Sequence, residues 1–243
     1  MRRYLLASVV LCLAVLAGCG HKKSARVAVP PPPPIEAGGT RTSPTPPSEK
    51  EPPVQEFPAD AKPIYVETGI ASWYGPPYHG RKAANGEVFD TNRMTAAHRT
   101  LPLNSIARVT NLKTGHSTVV RITDRGPFIE GRMLDLSVAA AKAVDVWRPG
   151  LATVKLEVMQ APAAVDVGGR WCVQIGAFAN KAEAAKLKDK LTRRYHTAQV
   201  LQFTGPTGDW VRIRVLDDDK KRAQEVVRDT STTEGSIFLV RLD

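Results

Sequence analysis

The chain has 243 residues, a net charge of +10 and three cysteines, of which only Cys172 lies outside the first twenty positions, so no disulfide can staple a folded region. Most of its 19 prolines fall before residue 65, which leaves about 180 residues, enough for two small domains. The positive charge is not gathered into a basic run with interleaved aromatics, which argues against a nucleic-acid partner.

The first 18 residues read as a lipoprotein signal peptide. Arg2 and Arg3 precede an apolar run from Leu5 to Ala17 that is too short to span a bilayer comfortably. The run ends Leu16-Ala17-Gly18-Cys19, which resembles the bacterial lipobox, so Cys19 is the expected site of lipidation. Gly20 rather than Asp follows, which by resemblance to lipoprotein sorting rules favours the outer membrane. Residues 19–65 contain VPPPPPIE and TSPTPPSEKEPP; proline fixes φ and removes donors, so a disordered, proline-rich tether on the order of 100 Å long is expected.

Residues 66–160 change character. Short β-branched runs alternate with Gly, Asn, Asp and Pro turns, and strands are expected at 69–74, 106–112, 117–123 and 153–158. Residues 137–144 suit one short helix that Ser137 can cap. Many strands and one helix predict a small all-β barrel. Polar residues cluster in its loops. Trp73 and Tyr74 end a strand, and His79, Arg81, Asn85, Glu87 and Asp90 share one loop. His98 and Arg99 follow, and Asp124 sits directly after an apolar strand, before Arg125 and the turn pair Gly126-Pro127. A carboxyl at the end of a buried strand is well placed for acid–base work. Asp135, just before the helix, reads as a cap or turn residue. His79 and His98 lack metal-ligand spacing, so no metal and no cofactor is expected.

Residues 161–168 read as a linker, and 169–243 have a βαββαβ rhythm, the ferredoxin-like α+β arrangement. Strands are expected at 171–177, 198–203, 210–215 and 236–242, with helices at 180–195 and 220–229. Strand alternation turns Val173, Ile175, Val211 and Ile213 toward the helices. Gln174, Trp210, Arg212 and Arg214 then share the opposite, open face, where an aromatic ring with amide and guanidinium groups suits a sugar.

The blocks GIASWYGPPYHGRKAANGEVFD, TAAHRTLP, ARVTNLKTG and RITDRGPF, in that order, resemble the rare lipoprotein A family, whose domain is a double-psi β-barrel. Ala83 departs from the usual threonine, and Leu103-Asn104-Ser105 from Phe-Gly-Thr. The resemblance implies lytic transglycosylase activity on peptidoglycan, with Asp124 as acid/base, Glu87 as a supporting carboxylate and His98 as a hydrogen-bonding partner. Trp73 and Tyr74 are expected to stack on sugar faces, and Asn85 and Arg125 to contact the substrate. The stretch WCVQIGAFANKAEAAKLKDKL resembles the start of the SPOR domain, a module that binds denuded glycan strands, often at the division septum; Leu216-Asp217-Asp218 replaces its usual Gly-Pro-Phe. The expected partners are therefore denuded peptidoglycan strands, a membrane through the lipid anchor and septal division proteins, with the chain facing the periplasm. Two alternatives stand beside this reading: a septal lipoprotein that binds glycan without cutting it, and a hydrolase using Asp124 and Glu87 together.

Overall fold

A computed structural model describes residues 57–58, 60–205, 207–232 and 234–243. Cys19, the signal peptide and most of the tether lie outside the described residues.

The first domain is a closed barrel of six strands: β1 (Tyr65–Trp73), β2 (Thr95–His98), β3 (Ile106–Asn111), β4 (Ser117–Asp124), β5 (Arg132–Leu136) and β6 (Ala152–Gln160), hydrogen-bonded in the order β1-β5-β2-β4-β3-β6. Two crossed parallel pairs, β1 with β5 and β2 with β4, give the double-psi connection. The alternation that argues for strands also fills the barrel: Ala107 and Val109 of β3 and Val154, Leu156 and Val158 of β6 are wholly buried. The expected strands are all present. β2 and β5 were not expected: each is short and largely buried, so neither shows a clean period of two. Helix α1 (Val138–Ala143) follows β5, and the Ser137 hydroxyl accepts from the Ala140 N–H at 3.2 Å. Asp135 is not a cap; it is a residue of β5.

The second domain runs β7 (Trp171–Phe178), α2 (Lys181–Arg194), β8 (Gln199–Gly205), β9 (Gly208–Arg214), α3 (Lys220–Asp229) and β10 (Ser236–Arg241). Its antiparallel sheet has the order β10-β7-β9-β8, the ferredoxin-like arrangement. Asn180 caps α2 by accepting from the Ala182 N–H at 2.8 Å. Ala184, Leu187 and Leu191 of α2, with Ala223 and Val226 of α3, pack on Val173, Ile175, Val211 and Ile213.

Candidate active site

β4 sends Val120 and Ile122 into the barrel core, so strict alternation would send Asp124 there too. The pairing with β2 prevents this. Ala96 opposes Ile122, but the next residue, Ala97, opposes Asp124, so Thr123 is an extra residue in β4. Such a bulge re-aims the side chains beyond it, and Asp124 emerges on the outer side of the barrel with Ala97. There its carboxylate accepts from the N–H groups of Ala84, at 3.0 Å, and Arg125, at 2.8 Å. Burial pushes its pKa above the ordinary carboxylate value, against those two donors, which favour the charged form. A half-buried carboxyl that keeps its proton more readily than usual suits a general acid.

The loop carrying Ala84 lies across the end of β4. Asn85 N–H donates to the Thr123 carbonyl at 3.1 Å, and the Asn85 side chain bonds Asn104 Oδ1 and the Glu87 N–H. Asn85 thus orders the loop. Glu87 is held by a two-pronged pair with Arg121, both contacts at 2.6 Å, and that bonding holds its pKa below the ordinary value. Asp124 and Glu87 therefore differ in kind: one resists ionisation, the other is a fixed charge.

Tyr74 stacks on Phe89 with ring centroids 4.2 Å apart, and Tyr78 meets Tyr74 edge-on at 5.8 Å. Burial, then the charges of Asp124 and Asp135, push the Tyr74 hydroxyl far above its usual range, so it stays protonated. Tyr78 and Phe89 belong to this aromatic wall; sequence reasoning missed both. Trp73 turns the other way and packs at a tilt on Trp147, with centroids 4.0 Å apart, against the barrel core rather than beside Asp124.

His98 is buried beneath the turn after β2. Its Nδ1 accepts from the N–H groups of Thr100 and Leu101, at 3.2 and 3.1 Å, and its Nε2 faces the Glu67 carboxylate at 3.3 Å. Both imidazole nitrogens are thereby engaged within the fold. Burial keeps the His98 pKa below its ordinary value, and the His98 hydrogen bond keeps that of Glu67 low, which describes a neutral ring donating to a charged carboxylate. Tyr65 also donates to Glu67, and burial raises its own hydroxyl to about 12.

Arg125 points away from Asp124. Its guanidinium donates to the carbonyls of His98, Leu101 and the C-terminal Asp243, at 3.1, 2.7 and 2.6 Å. Burial lowers its pKa to about 10. It joins the two domains, so it is not free for the substrate contact expected of it. Beside it Phe128 packs on Trp210 and Phe238, with centroids 5.4 and 5.7 Å apart.

This contact corrects the expectation of an open sheet face. Gln174, Trp210, Arg212 and Arg214 do share the face away from the helices, but Phe128 covers one half of it, and Trp210 and Gln174 are buried. Arg212 spends its guanidinium on Gln174 Oε1 at 2.7 Å, and Arg214 makes a two-pronged pair with Asp218 at 3.0 and 2.7 Å. Asp218 lies in the segment that replaces the usual Gly-Pro-Phe. The other half stays open: Leu201 and Phe203 of β8, opposite Arg212 and Trp210, are exposed.

Residues 66–156 match the lytic transglycolase family, and residues 167–230 match the SPOR domain. Proteins named endolytic peptidoglycan transglycosylase RlpA align with the chain. The one from Campylobacter jejuni is 39% identical over 56% of this chain and 57% of its own length. Those from Pasteurella multocida and Vibrio cholerae are 35% and 53% identical, over 67% and 39% of this chain and 59% and 36% of their own lengths. The chain thus spans 36 to 59% of the length of these relatives. Among solved structures, an apo expansin of Clavibacter michiganensis aligns at 16% identity over 63% of this chain and 81% of its own, with a TM-score of 0.34.

The His98 contacts set a pH dependence of stability. A depressed histidine pKa means that the unfolded chain takes up a proton which the folded chain resists. Its contribution is full above the ordinary value of 6.5 and is lost as pH falls below it, through the folded-state pKa. The Glu67 contribution is lost further down, starting near 4.5. In urea unfolding at a series of pH values, the wild-type protein should lose stability relative to His98→Asn between about pH 6.5 and 5. A constant difference between the two across that window counts against a neutral His98.

Proposed function

We propose that this chain, a lytic transglycolase domain followed by a SPOR domain, cleaves the β-1,4 bond between N-acetylmuramic acid and N-acetylglucosamine in peptidoglycan and closes a 1,6-anhydro ring. The observation that carries the reading is Asp124, which the Thr123 bulge turns out of the core and burial keeps inclined to hold its proton. Asp124 protonates the glycosidic oxygen as the bond to C1 breaks. The resulting carboxylate takes the proton of the C6 hydroxyl, whose oxygen attacks C1. The proton ends where it began and no water is consumed, so one acid/base group completes the cycle, whereas an inverting hydrolase needs a second carboxylate to activate water. Glu87, fixed by Arg121, holds the loop that caps Asp124 and sets a negative charge near the reacting sugar. His98 positions the turn after β2. The aromatic wall of Tyr74, Tyr78 and Phe89 offers the apolar surface on which a sugar ring packs.

Asp124→Asn keeps the shape but can neither donate nor recover a proton. It should lower the release of anhydro ends from sacculi by about 10²–10⁴-fold, measured by mass spectrometry, while sacculus binding survives. Wild-type release from the variant sinks this assignment. A wild-type protein that binds sacculi and releases no anhydro ends is instead a glycan-binding scaffold.

The second domain retains the enzyme on denuded glycan, at the septum, through the open half of its sheet, where Leu201 and Phe203 lie beside Arg212. In co-sedimentation with amidase-treated sacculi, Phe203→Ala should weaken retention of the full chain. Phe128→Ala, which uncovers Trp210, should strengthen it. Unchanged retention in both variants places the glycan elsewhere.

The lipobox at Cys19 attaches the mature protein to the outer membrane, and the tether lets the enzyme reach the wall. Cys19→Ala should move the protein from the membrane to the soluble periplasmic fraction on fractionation, and continued membrane association rules out this anchor.

A further inference from the structure

The strand register that turns Asp124 outward places a second carboxyl beside it. Ala97 pairs with Asp124 on one side and with Asp135 on the other, and Asp135 pairs in turn with Ser72 of β1. Directly paired residues point to the same side of a sheet, so Ser72, Asp135, Ala97 and Asp124 form one row on the outer face. At about 4.8 Å per strand, the two aspartate Cα atoms lie about 10 Å apart. Between them the row carries only the short, buried side chain of Ala97, so no bulky side chain of the row separates the two carboxyls. Gly126 packs against Ala97: a Cβ there would sit 3.7 Å from the Ala97 Cβ and 4.0 Å from Asp135 Oδ2. The Tyr74 hydroxyl feels both carboxylates.

We propose that Asp135 is the second catalytic carboxylate of this site, facing the anomeric carbon of the sugar whose glycosidic oxygen Asp124 protonates. The inference rests on the transglycosylase reading of the same site and assigns Asp135 a part in it. Its neighbours favour a charged Asp135. Ser72 donates its hydroxyl to the carboxylate and is itself held by Arg132 Nη1 at 3.1 Å. Arg132 and Arg99 supply positive charge, and Tyr74 and Tyr78 are the other titratable groups that feel it. Burial opposes them and raises the pKa of Asp135, as it does for Asp124. Around Asp124 the charged groups are Arg125 and Asp135, and the Asp135 charge helps Asp124 keep its proton. Asp135 thus does two things: it keeps Asp124 an acid, and it stabilises the positive charge that grows at C1. It exchanges no proton. The proton that Asp124 gives to the glycosidic oxygen is replaced by that of the C6 hydroxyl.

The test is the pH dependence of anhydro-end release by the full chain, with sacculus binding and thermal melting measured alongside. Asp135→Asn keeps the Ser72 hydrogen bond but loses the charge. It should reduce turnover by about 10²-fold, the usual size of one lost transition-state charge contact, without loss of binding. The alkaline limb, where Asp124 loses its proton, should move to lower pH because the like charge is gone. Ser72→Ala, a milder change, removes a hydrogen bond to the charged form. It should move the acid limb, where Asp135 becomes protonated, to higher pH. Should Asp135→Asn fail to fold, the Ser72→Ala profile decides. Wild-type limbs and turnover in the folded variants overturn the proposal while leaving Asp124 in place. A wild-type chain that releases no anhydro ends removes the transglycosylase reading and this assignment with it.

Discussion

One extra residue in β4 decides where Asp124 points. With Val120 and Ile122 pointing inward, a regular strand would place Asp124 in the apolar core, where an unpaired carboxyl costs several kilocalories per mole or stays neutral and out of reach. The bulge at Thr123 shifts the register by one and moves the carboxyl to the outer face. The loop at residues 83–87 lies against Asp124 there, donating the Ala84 N–H to its carboxylate. The carboxyl is therefore desolvated enough to raise its pKa, yet it stands at the rim of the sheet. The register also determines its neighbours, since Ala97 and Asp135 join the row only because Asp124 has been turned out.

Asp124 and the residues after it divide between the outer face of the barrel and the domain junction. Asp124 is turned to the outer face, Arg125 spends three hydrogen bonds on carbonyls at the domain junction, and Phe128 packs on Trp210 and Phe238. Arg99 braces the same segment by donating to the carbonyls of Pro127 and Arg132, at 2.8 and 2.6 Å, with its guanidinium over Phe238. A single short segment thus carries Asp124 and clamps the second domain. The chain from Arg241 to Asp243 completes the clamp: Arg241 N–H donates to the Arg99 carbonyl, and Leu103 N–H to that of Asp243.

Much of this was legible in the sequence, because the determinants were local. The apolar alternation in β3, β4 and β6, the cap residues Ser137 and Asn180, and the helix stripe of Ala184, Leu187 and Leu191 each need only a few neighbouring residues to be read. What escaped depends on partners distant in sequence. β2 and β5 are too short and too buried to show a period. Asp135 next to a helix has the look of a cap, and only its pairing with Ala97 reveals a row that includes Asp124. The alternation of β7 and β9 correctly grouped Gln174, Trp210, Arg212 and Arg214. It could not show that Phe128, 46 positions before Gln174 in the sequence, covers half of that face.

The covered half has a further consequence for how the two domains work together. Trp210 and Phe238 bury apolar area against the barrel, and Cys172 beneath them is so shielded that burial lifts its thiol to about 11. Separating the domains exposes those rings to water, at roughly 25 cal/mol for each Å² uncovered, and frees the Arg125 guanidinium from three carbonyls at once. A glycan held on the exposed β8 edge leaves the junction intact, whereas one that reaches Trp210 has to displace Phe128, four residues beyond Asp124. Binding on the first half would therefore be energetically independent of the surroundings of Asp124. Binding on the second would be coupled to them, because the ring that leaves the sheet belongs to the segment that begins with Asp124.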